Sequence, residues 1–127
     1  MDKHQHHAEL VNGFFKEQQQ IFDSSSQAIY AFLDDGCIVC NKKFATLLGY
    51  PSPDEWAKVQ ETFTAAFVDT KSQQTLVTAY QNAMEKMVGA TIKVTWKKKT
   101  GGTVDTTVIL VPIAYKGHLF ALHFITK

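Results

Sequence analysis

The chain has 127 residues, of which 45% are hydrophobic and 20% charged. A chain of this length buries roughly two-thirds of its unfolded surface in one core, so we expect a single globular domain and exclude disordered and collagen-like classes. All 13 basic residues are lysine and the net charge is +1. This argues against nucleic-acid binding and arginine-based phosphate recognition. No apolar run approaches the roughly 20 residues of a membrane span, and no signal core opens the chain, so we expect a cytoplasmic protein that does not bind membranes.

The first segment, residues 1–24, predicts an amphipathic helix, because its apolar residues recur at helical spacing. Serines 24 to 26 interrupt this pattern, and residues 25–127 are predicted to form the globular domain. We expect the helix to cover that domain or to pair two copies into a homodimer. The predicted interface consists of Leu10, Val11, Phe14, Phe15 and Phe22.

A β-hairpin and a short helix follow. Gln27–Leu33 is a β-branched and aromatic run that predicts a strand, and Asp34-Asp35-Gly36 is a strong turn signal. Cys37–Cys40 is the returning strand. Asn41 is a good N-cap for a helix over Lys42–Leu48.

The middle of the chain predicts further helices. Ser52-Pro53 supplies an N-cap serine and a proline at the first helical position of a short helix. Thr62–Val68 is ambiguous between helix and strand. Asp69 or Thr70 begins a long helix that we expect to end at Gly89. Its apolar stripe consists of Leu76, Tyr80, Ala83, Met84 and Met87.

From Ala90 onward the hydrophobic period changes from 3.6 to 2, which predicts three strands. They cover Thr91–Lys97, Thr103–Pro112 and Leu119–Thr126, with turns at Lys98–Gly102 and Lys116-Gly117. The last strand has large apolar residues in both alternating sets, so both faces of the sheet should be covered.

The order helix, two strands, three helices, three strands resembles that of the PAS (Per-ARNT-Sim) domain family. The resemblance covers about Gln20 to Lys127. It is carried by the joint order of Asp34-Asp35-Gly36, Asn41, Leu47-Leu48-Gly49-Tyr50, Phe67-Val68-Asp69, Lys99-Thr100-Gly101-Gly102, Val111-Pro112-Ile113 and the final strand after Gly117.

The resemblance implies an α+β fold. Its sheet has five antiparallel strands in the order 2-1-5-4-3, with the inner helices on one face enclosing a small-ligand pocket. It also implies a sensory module of a signal-transduction protein, such as a two-component system, that binds a small molecule or dimerises. The alternative is a stand-alone dimerisation module with a filled core and no ligand.

The resemblance also bears on cofactors. Haem-binding relatives use a histidine on the inner helices, but no histidine occurs between His7 and His118. Light-sensing relatives place the flavin-reactive cysteine after an asparagine on an inner helix, whereas here Asn41 is followed by Lys42. We therefore expect neither haem nor a cysteinyl-flavin of the usual types, and the cofactor stays unknown.

The sequence pattern also does not indicate a metal site or a catalytic site. Cys37 and Cys40, three apart on a strand, point to opposite faces, which argues against a shared metal site. The pattern shows neither a nucleophile with its base nor paired inward carboxylates, so we do not expect an enzyme.

The space between the long helix and the sheet is the expected ligand site. Its candidate residues are aromatic or apolar, with a few polar groups: Phe32, Trp56, Phe63, Phe67, Tyr80, Met84, Trp96, Thr106 and His123. They could equally form a filled core, and we favour a filled or small pocket. Any ligand should be apolar or aromatic, with few hydrogen bonds. His123 is the best polar candidate.

Overall fold

The computed structural model describes Gly13 and Lys16, both helical, and residues 25–33, 38–59, 61–115 and 117–127. The longest helix among these residues is Thr70–Lys86, and none of the helices is long and apolar enough to cross a membrane. The elements in chain order are β1 (Ala28–Leu33), β2 (Ile38–Cys40), α1 (Lys42–Leu47), α2 (Pro53–Ala57), α3 (Phe63–Phe67), α4 (Thr70–Lys86), β3 (Ala90–Lys97), β4 (Thr103–Tyr115) and β5 (His118–Thr126).

The five strands form one sheet in the order β2-β1-β5-β4-β3, and every neighbouring pair is antiparallel. This is the predicted order and confirms the predicted fold class. Strand β5 lies in the middle, with β1 on one side and β4 on the other. Its register places His123 opposite Tyr30 and Ile125 opposite Val108.

Both faces of the central strands are buried. On the inner face, Tyr30, Ala121 and Ile125 belong to the core cluster that also contains residues of α1 to α4. The outer face carries the alternate residues of the same strands, because successive side chains of a strand point to opposite sides. Ile29, Ala31, Phe120 and Leu122 lie there and are buried as well. The apolar character of both alternating sets in β5 predicted this burial.

The predicted N-caps of the short helices are present. The Ser52 side chain accepts a hydrogen bond from Glu55 N at 3.1 Å and begins α2, whose first residue is Pro53. Asn41 Oδ1 accepts from Phe44 N at 3.1 Å and begins α1.

The Asn41 side chain also joins α1 to the sheet. Its Oδ1 accepts a hydrogen bond from Ile29 N at 3.1 Å, and its Nδ2 donates to Gln27 O at 3.0 Å. The side chain is 2% exposed. Since unpaired buried amides are costly, this residue fixes where the chain leaves β2 and enters the helical layer.

The ambiguous segment Thr62–Val68 is resolved as helix α3 followed by a single bridge between Val68 and Trp96. The next residue, Asp69, donates its N–H to Thr95 O at 2.9 Å, and Ser72 Oγ accepts from Thr95 N at 2.9 Å. These contacts pair the edge of β3 with the start of α4. Sequence periodicity does not predict these contacts, because they join residues more than 20 positions apart.

Strand β4 is longer than predicted and runs through Pro112 to Tyr115. Proline lacks an N–H and is tolerated where a strand has an open side. The pairing of β3 with β4 ends at Ala90 and Leu110, so β4 has no partner from β3 at Pro112. Pro112 pairs with Ala121 of β5 on the other side.

The predicted end of the long helix at Gly89 is wrong. Helix α4 ends at Lys86, and the left-handed residue after it is Met87, with φ 55°. Met87 is 51% exposed and does not continue the buried stripe. Gly89 instead allows the chain to pass close to strand β4, since a Cβ at this position would lie 3.0 Å from Leu110 O.

We expect Met87→Gly to raise the free energy of unfolding by about 1 kcal/mol. The left-handed conformation costs an L-residue about 1–2 kcal/mol, and glycine's extra freedom in the unfolded chain cancels only part of that gain. Urea denaturation measures the change.

Val88→Gly is the matched control. Val88 is adjacent and 46% exposed, and it lacks a positive φ. This variant should lose about 0.5–1 kcal/mol. Equal destabilisation of both variants would contradict the assignment of strain to Met87.

Candidate functional site

A cavity of about 140 Å³ lies on the inner face of the sheet, between strands β1 and β5 and helices α3 and α4. Its lining is almost entirely apolar and consists of Tyr30, Phe32, Phe63, Thr64, Leu76, Val77, Tyr80 and His123. Tyr30 and His123 are buried, whereas Phe63, Thr64 and Val77 are partly exposed. The helices therefore form the side of the cavity nearest to solvent.

Tyr30 and His123 lie directly opposite each other on β1 and β5. Their rings stack at a centroid distance of 3.9 Å with an interplanar angle of 8°. Each residue is 1% exposed. Strand alternation dictates the placement, because Tyr30 shares its face with Phe32, and His123 shares its face with Ala121 and Ile125.

Both side chains are held neutral at physiological pH. Burial lowers the pKa of His123 to about 3, and the backbone of Tyr30 and Ala121 opposes this shift only in part. Burial also raises the pKa of the Tyr30 hydroxyl well above its ordinary value. Desolvation disfavours the charged form of each group.

Tyr30 Oη and His123 Nδ1 are buried and have no hydrogen-bond partner among the described residues. The same is true of Trp56 Nε1, which does not line the cavity. Most buried polar groups in proteins form a hydrogen bond, so each buried atom without one requires an explanation.

Trp96 and Thr106, by contrast, satisfy each other. Trp96 Nε1 donates to Thr106 Oγ1 at 2.8 Å, and Thr106 Oγ1 donates to Val94 O at 2.9 Å. Neither residue lines the cavity. Their polar groups are committed to the connection between β3 and β4.

The nine residues predicted for the ligand site divide into two groups. Phe32, Phe63, Tyr80 and His123 line the cavity. Trp56, Phe67, Trp96 and Thr106 are buried but do not line it, and Met84 is partly buried against the core. A role of any of the nine in ligand binding stays a prediction.

The sequence interpretation missed four lining residues: Tyr30, Thr64, Leu76 and Val77. Tyr30 had a usable signal, because it lies two positions before Phe32 on the same strand face. Leu76 belonged to the predicted stripe of the long helix, but not to the ligand site. Thr64 lies in the segment whose secondary structure the sequence left open.

Of the two cysteines, the structure describes Cys40. Cys40 is a free, buried thiol, and burial raises its pKa to about 12, so it is not a reactive thiolate. In the described ranges, no three His, Cys, Asp or Glu side chains come together in a way that could hold a metal ion. Cys37 lies outside the described residues, as do Leu10, Val11, Phe14, Phe15 and Phe22.

A sequence profile of a family described as PAS domain matches residues 16–81. No curated protein matches the chain. Many solved structures share its fold, among them the following three. The PAS domain of a protein from Colwellia psychrerythraea is 20% identical with a TM-score of 0.69, over 90% of this chain and 96% of that one. The PAS domain of nitrogen regulation protein NR(II) from Vibrio parahaemolyticus is 16% identical with a TM-score of 0.65, over 85% and 94%. The Rhodobacter sphaeroides LOV protein is 12% identical with a TM-score of 0.69, over 91% and 66%.

The buried neutral His123 predicts a pH-dependent stability. Its pKa is about 3 in the folded chain and near 6.5 when unfolded. Between these pH values the unfolded chain binds a proton at His123 that the folded chain does not bind. The free energy of unfolding therefore has its full value above pH 6.5 and decreases as the pH falls towards 3. The slope approaches about 1.4 kcal/mol per pH unit.

Denaturation of wild type and His123→Phe between pH 7 and pH 4 isolates this contribution, and we expect the variant to lose stability less steeply. His118→Gln is the control, because His118 lies on the same strand but is not fully buried. Because this variant also removes one histidine from the same strand, the comparison shows whether the change in slope is specific to His123. Parallel wild-type and His123→Phe curves would show that His123 is not buried in its neutral form.

Proposed function

The chain belongs to the PAS domain family, and from this premise we propose that it is a cytoplasmic sensory module of a signal-transduction protein that binds a small molecule in the cavity between α4 and the sheet. The carrying observation is the apolar cavity of about 140 Å³ next to the stacked Tyr30 and His123. One structural neighbour is a domain of a nitrogen regulation protein, which supports a regulatory role.

The size of the cavity limits the ligand. An apolar cavity near 150 Å³ accommodates a benzene-sized molecule. Haem and flavin, with their large fused or macrocyclic ring systems, exceed this volume several-fold. The proposed ligand is therefore a small apolar or aromatic molecule.

We propose that helix α3, which lines the cavity, changes its position when a ligand binds. The Gln73 side chain of α4 donates from Nε2 to Thr64 O at 3.3 Å and to Val68 O at 3.1 Å, and Lys97 Nζ donates to Ala65 O at 2.8 Å. These contacts tie a five-residue helix to α4 and to β3. A ligand that binds one position of α3 better than another would shift the population between them.

We propose a binding module rather than an enzyme. Of the described residues, no carboxylate lines the cavity. His123, with its pKa of about 3, is a poor proton acceptor at physiological pH.

The ligand hypothesis predicts that Val77→Phe removes binding without unfolding the chain. Val77 lines the cavity and is partly exposed, so a larger side chain there fills the cavity rather than the core. Native mass spectrometry of protein purified without added cofactors should show a small-molecule adduct on wild type and none on Val77→Phe.

Thr78→Phe is the matched control, because Thr78 is the next residue of α4 and is exposed. It should keep the adduct. A wild-type chain without any adduct, and without thermal stabilisation by small aromatic compounds, would contradict the ligand hypothesis.

A second candidate function is dimerisation. Ile29, Ala31, Phe120 and Leu122 are buried, although their face of the sheet points away from α1 to α4. We propose that residues 1–24 form a unit that covers this face, from the same chain or from a second copy. Contact through the apolar set Leu10, Val11, Phe14, Phe15 and Phe22 would then yield a homodimer.

The dimer hypothesis predicts that Phe14→Glu combined with Phe15→Glu yields a monomer, because burying two carboxylates in an apolar interface is costly. Sedimentation velocity measures the subunit count. Lys16→Glu is the control, because Lys16 belongs to the same segment and is exposed. A double variant that still sediments as a dimer would exclude this interface.

A further inference from the structure

Helix α3 is the part of the cavity wall that is least embedded in the fold. Strand β1 is paired on both sides, by β2 and β5, and the 17-residue helix α4 has four buried residues. Helix α3 has five residues, of which only Phe67 is buried, while its Phe63 and Thr64 line the cavity and are partly exposed. A wall segment with so little buried surface opens at a lower free-energy cost than the rest of the fold.

The two ends of α3 are held differently. Val68, directly after the helix, forms a bridge with Trp96. The next residue, Asp69, donates its N–H to Thr95 O at 2.9 Å. At the other end, the N-cap residue Thr62 makes no side-chain hydrogen bond to the helix. The C-terminal end of α3 is therefore joined to the sheet, whereas the end that carries the cavity-lining residues depends on contacts from other elements.

Two side chains from other elements bind carbonyl groups near the beginning of α3. Gln73 Nε2 of α4 donates to Thr64 O at 3.3 Å, and Lys97 Nζ of β3 donates to Ala65 O at 2.8 Å. We call these two hydrogen bonds the latch. Gln73 Nε2 also donates to Val68 O at 3.1 Å, so of the two residues Lys97 acts on the latch alone. Neither donor lines the cavity, so the latch can be removed without changing the surface that a ligand would contact.

Phe63 is the aromatic side chain that α3 contributes to the cavity. The centroid of its ring lies 5.2 Å from that of Phe32 and 5.3 Å from that of Tyr30, and both of these residues line the cavity from β1. If the beginning of α3 moves outward, the Phe63 ring separates from both strand residues and the cavity opens to solvent. A helix of five residues is unstable by itself, so α3 loses its internal hydrogen bonds as it detaches.

We propose that α3 is a lid that opens at its N-terminal end, that the latch of Gln73 and Lys97 holds it closed, and that the ligand enters and leaves the cavity through this opening. This inference rests on the proposed function and names the regulation of the same site. The latch holds the lid closed both with and without a ligand. Weakening it therefore accelerates ligand entry and ligand release by the same factor and leaves the affinity unchanged.

Lys97→Met tests the inference, because it removes the donor of the shorter latch bond and keeps an unbranched side chain. Lys98→Met is the matched control, since Lys98 is the next residue, is also partly exposed and takes no part in the latch. The probe is fluorobenzene, because a cavity of about 140 Å³ accommodates a single ring. Fluorine NMR exchange spectroscopy measures its association rate, its dissociation rate and the Kd.

We expect Lys97→Met to raise both rates about fivefold and to change the Kd less than about twofold, whereas Lys98→Met should leave all three at their wild-type values. Native-state hydrogen exchange provides a second readout that needs no ligand. The Ala66 and Val68 amides form backbone hydrogen bonds within α3 and its caps, and their exchange should also accelerate about fivefold in Lys97→Met. The Asn41 amide, which is bonded to β1, is the internal reference and should not change.

The outcomes separate this inference from the proposed function. Equal amide exchange of α3 in Lys97→Met and Lys98→Met would overturn the latch. Faster amide exchange with unchanged fluorobenzene rates would overturn the entry route and leave the ligand pocket standing. An increase in the dissociation rate alone would also overturn the inference, because Lys97 would then stabilise the bound state instead of the closed lid. Failure of fluorobenzene to bind wild type, with no adduct on the purified protein, would overturn the proposed function and the entry route with it.

Discussion

The stack of Tyr30 on His123 is the contact around which the inner side of the sheet is arranged. Tyr30 touches His123 of β5 and also contacts Phe44 of α1, Trp56 of α2, Phe63 of α3 and Trp96 of β3, with ring centroids 3.9 to 6.0 Å apart. One side chain therefore positions three helices against the sheet. This packing also removes water from the imidazole, which is why its pKa falls to about 3 and the pair stays neutral.

The buried polar groups fall into two kinds. Asn41 joins β1 to α1 through the hydrogen bonds of its side-chain amide, and two successive hydrogen bonds link Trp96 to Thr106 and Thr106 to Val94. These groups are satisfied within the fold and explain its architecture. Tyr30 Oη and His123 Nδ1 differ, because neither atom has a hydrogen-bond partner in the described part of the chain, although both residues line the cavity. Polar atoms of the first kind stabilise the fold, whereas those of the second kind carry the free-energy cost of an unpaired buried group.

The sheet order was predicted from the resemblance to the PAS family. The caps at Asn41 and Ser52 and the inward direction of His123 were predicted from capping residues and period-two alternation, which are local signals. The sequence prediction was wrong about the end of α4, since Gly89 offered a stronger stop signal than Met87, and only the close approach to Leu110 O explains the glycine. It also left α3 open, because the bridge between Val68 and Trp96 is a long-range contact. The cavity lining was only half predicted. Whether large side chains fill a space or leave a gap depends on their rotamers and helix positions, which periodicity does not encode.

A high-resolution crystal structure of the protein as purified, without added ligand, tests the central claim most directly. The account predicts non-water electron density between α3, α4 and the sheet, in contact with Phe32, Phe63 and Tyr80. A cavity closed by its own side chains would contradict it. Such a result would leave a PAS domain whose core is filled and whose function lies in association alone.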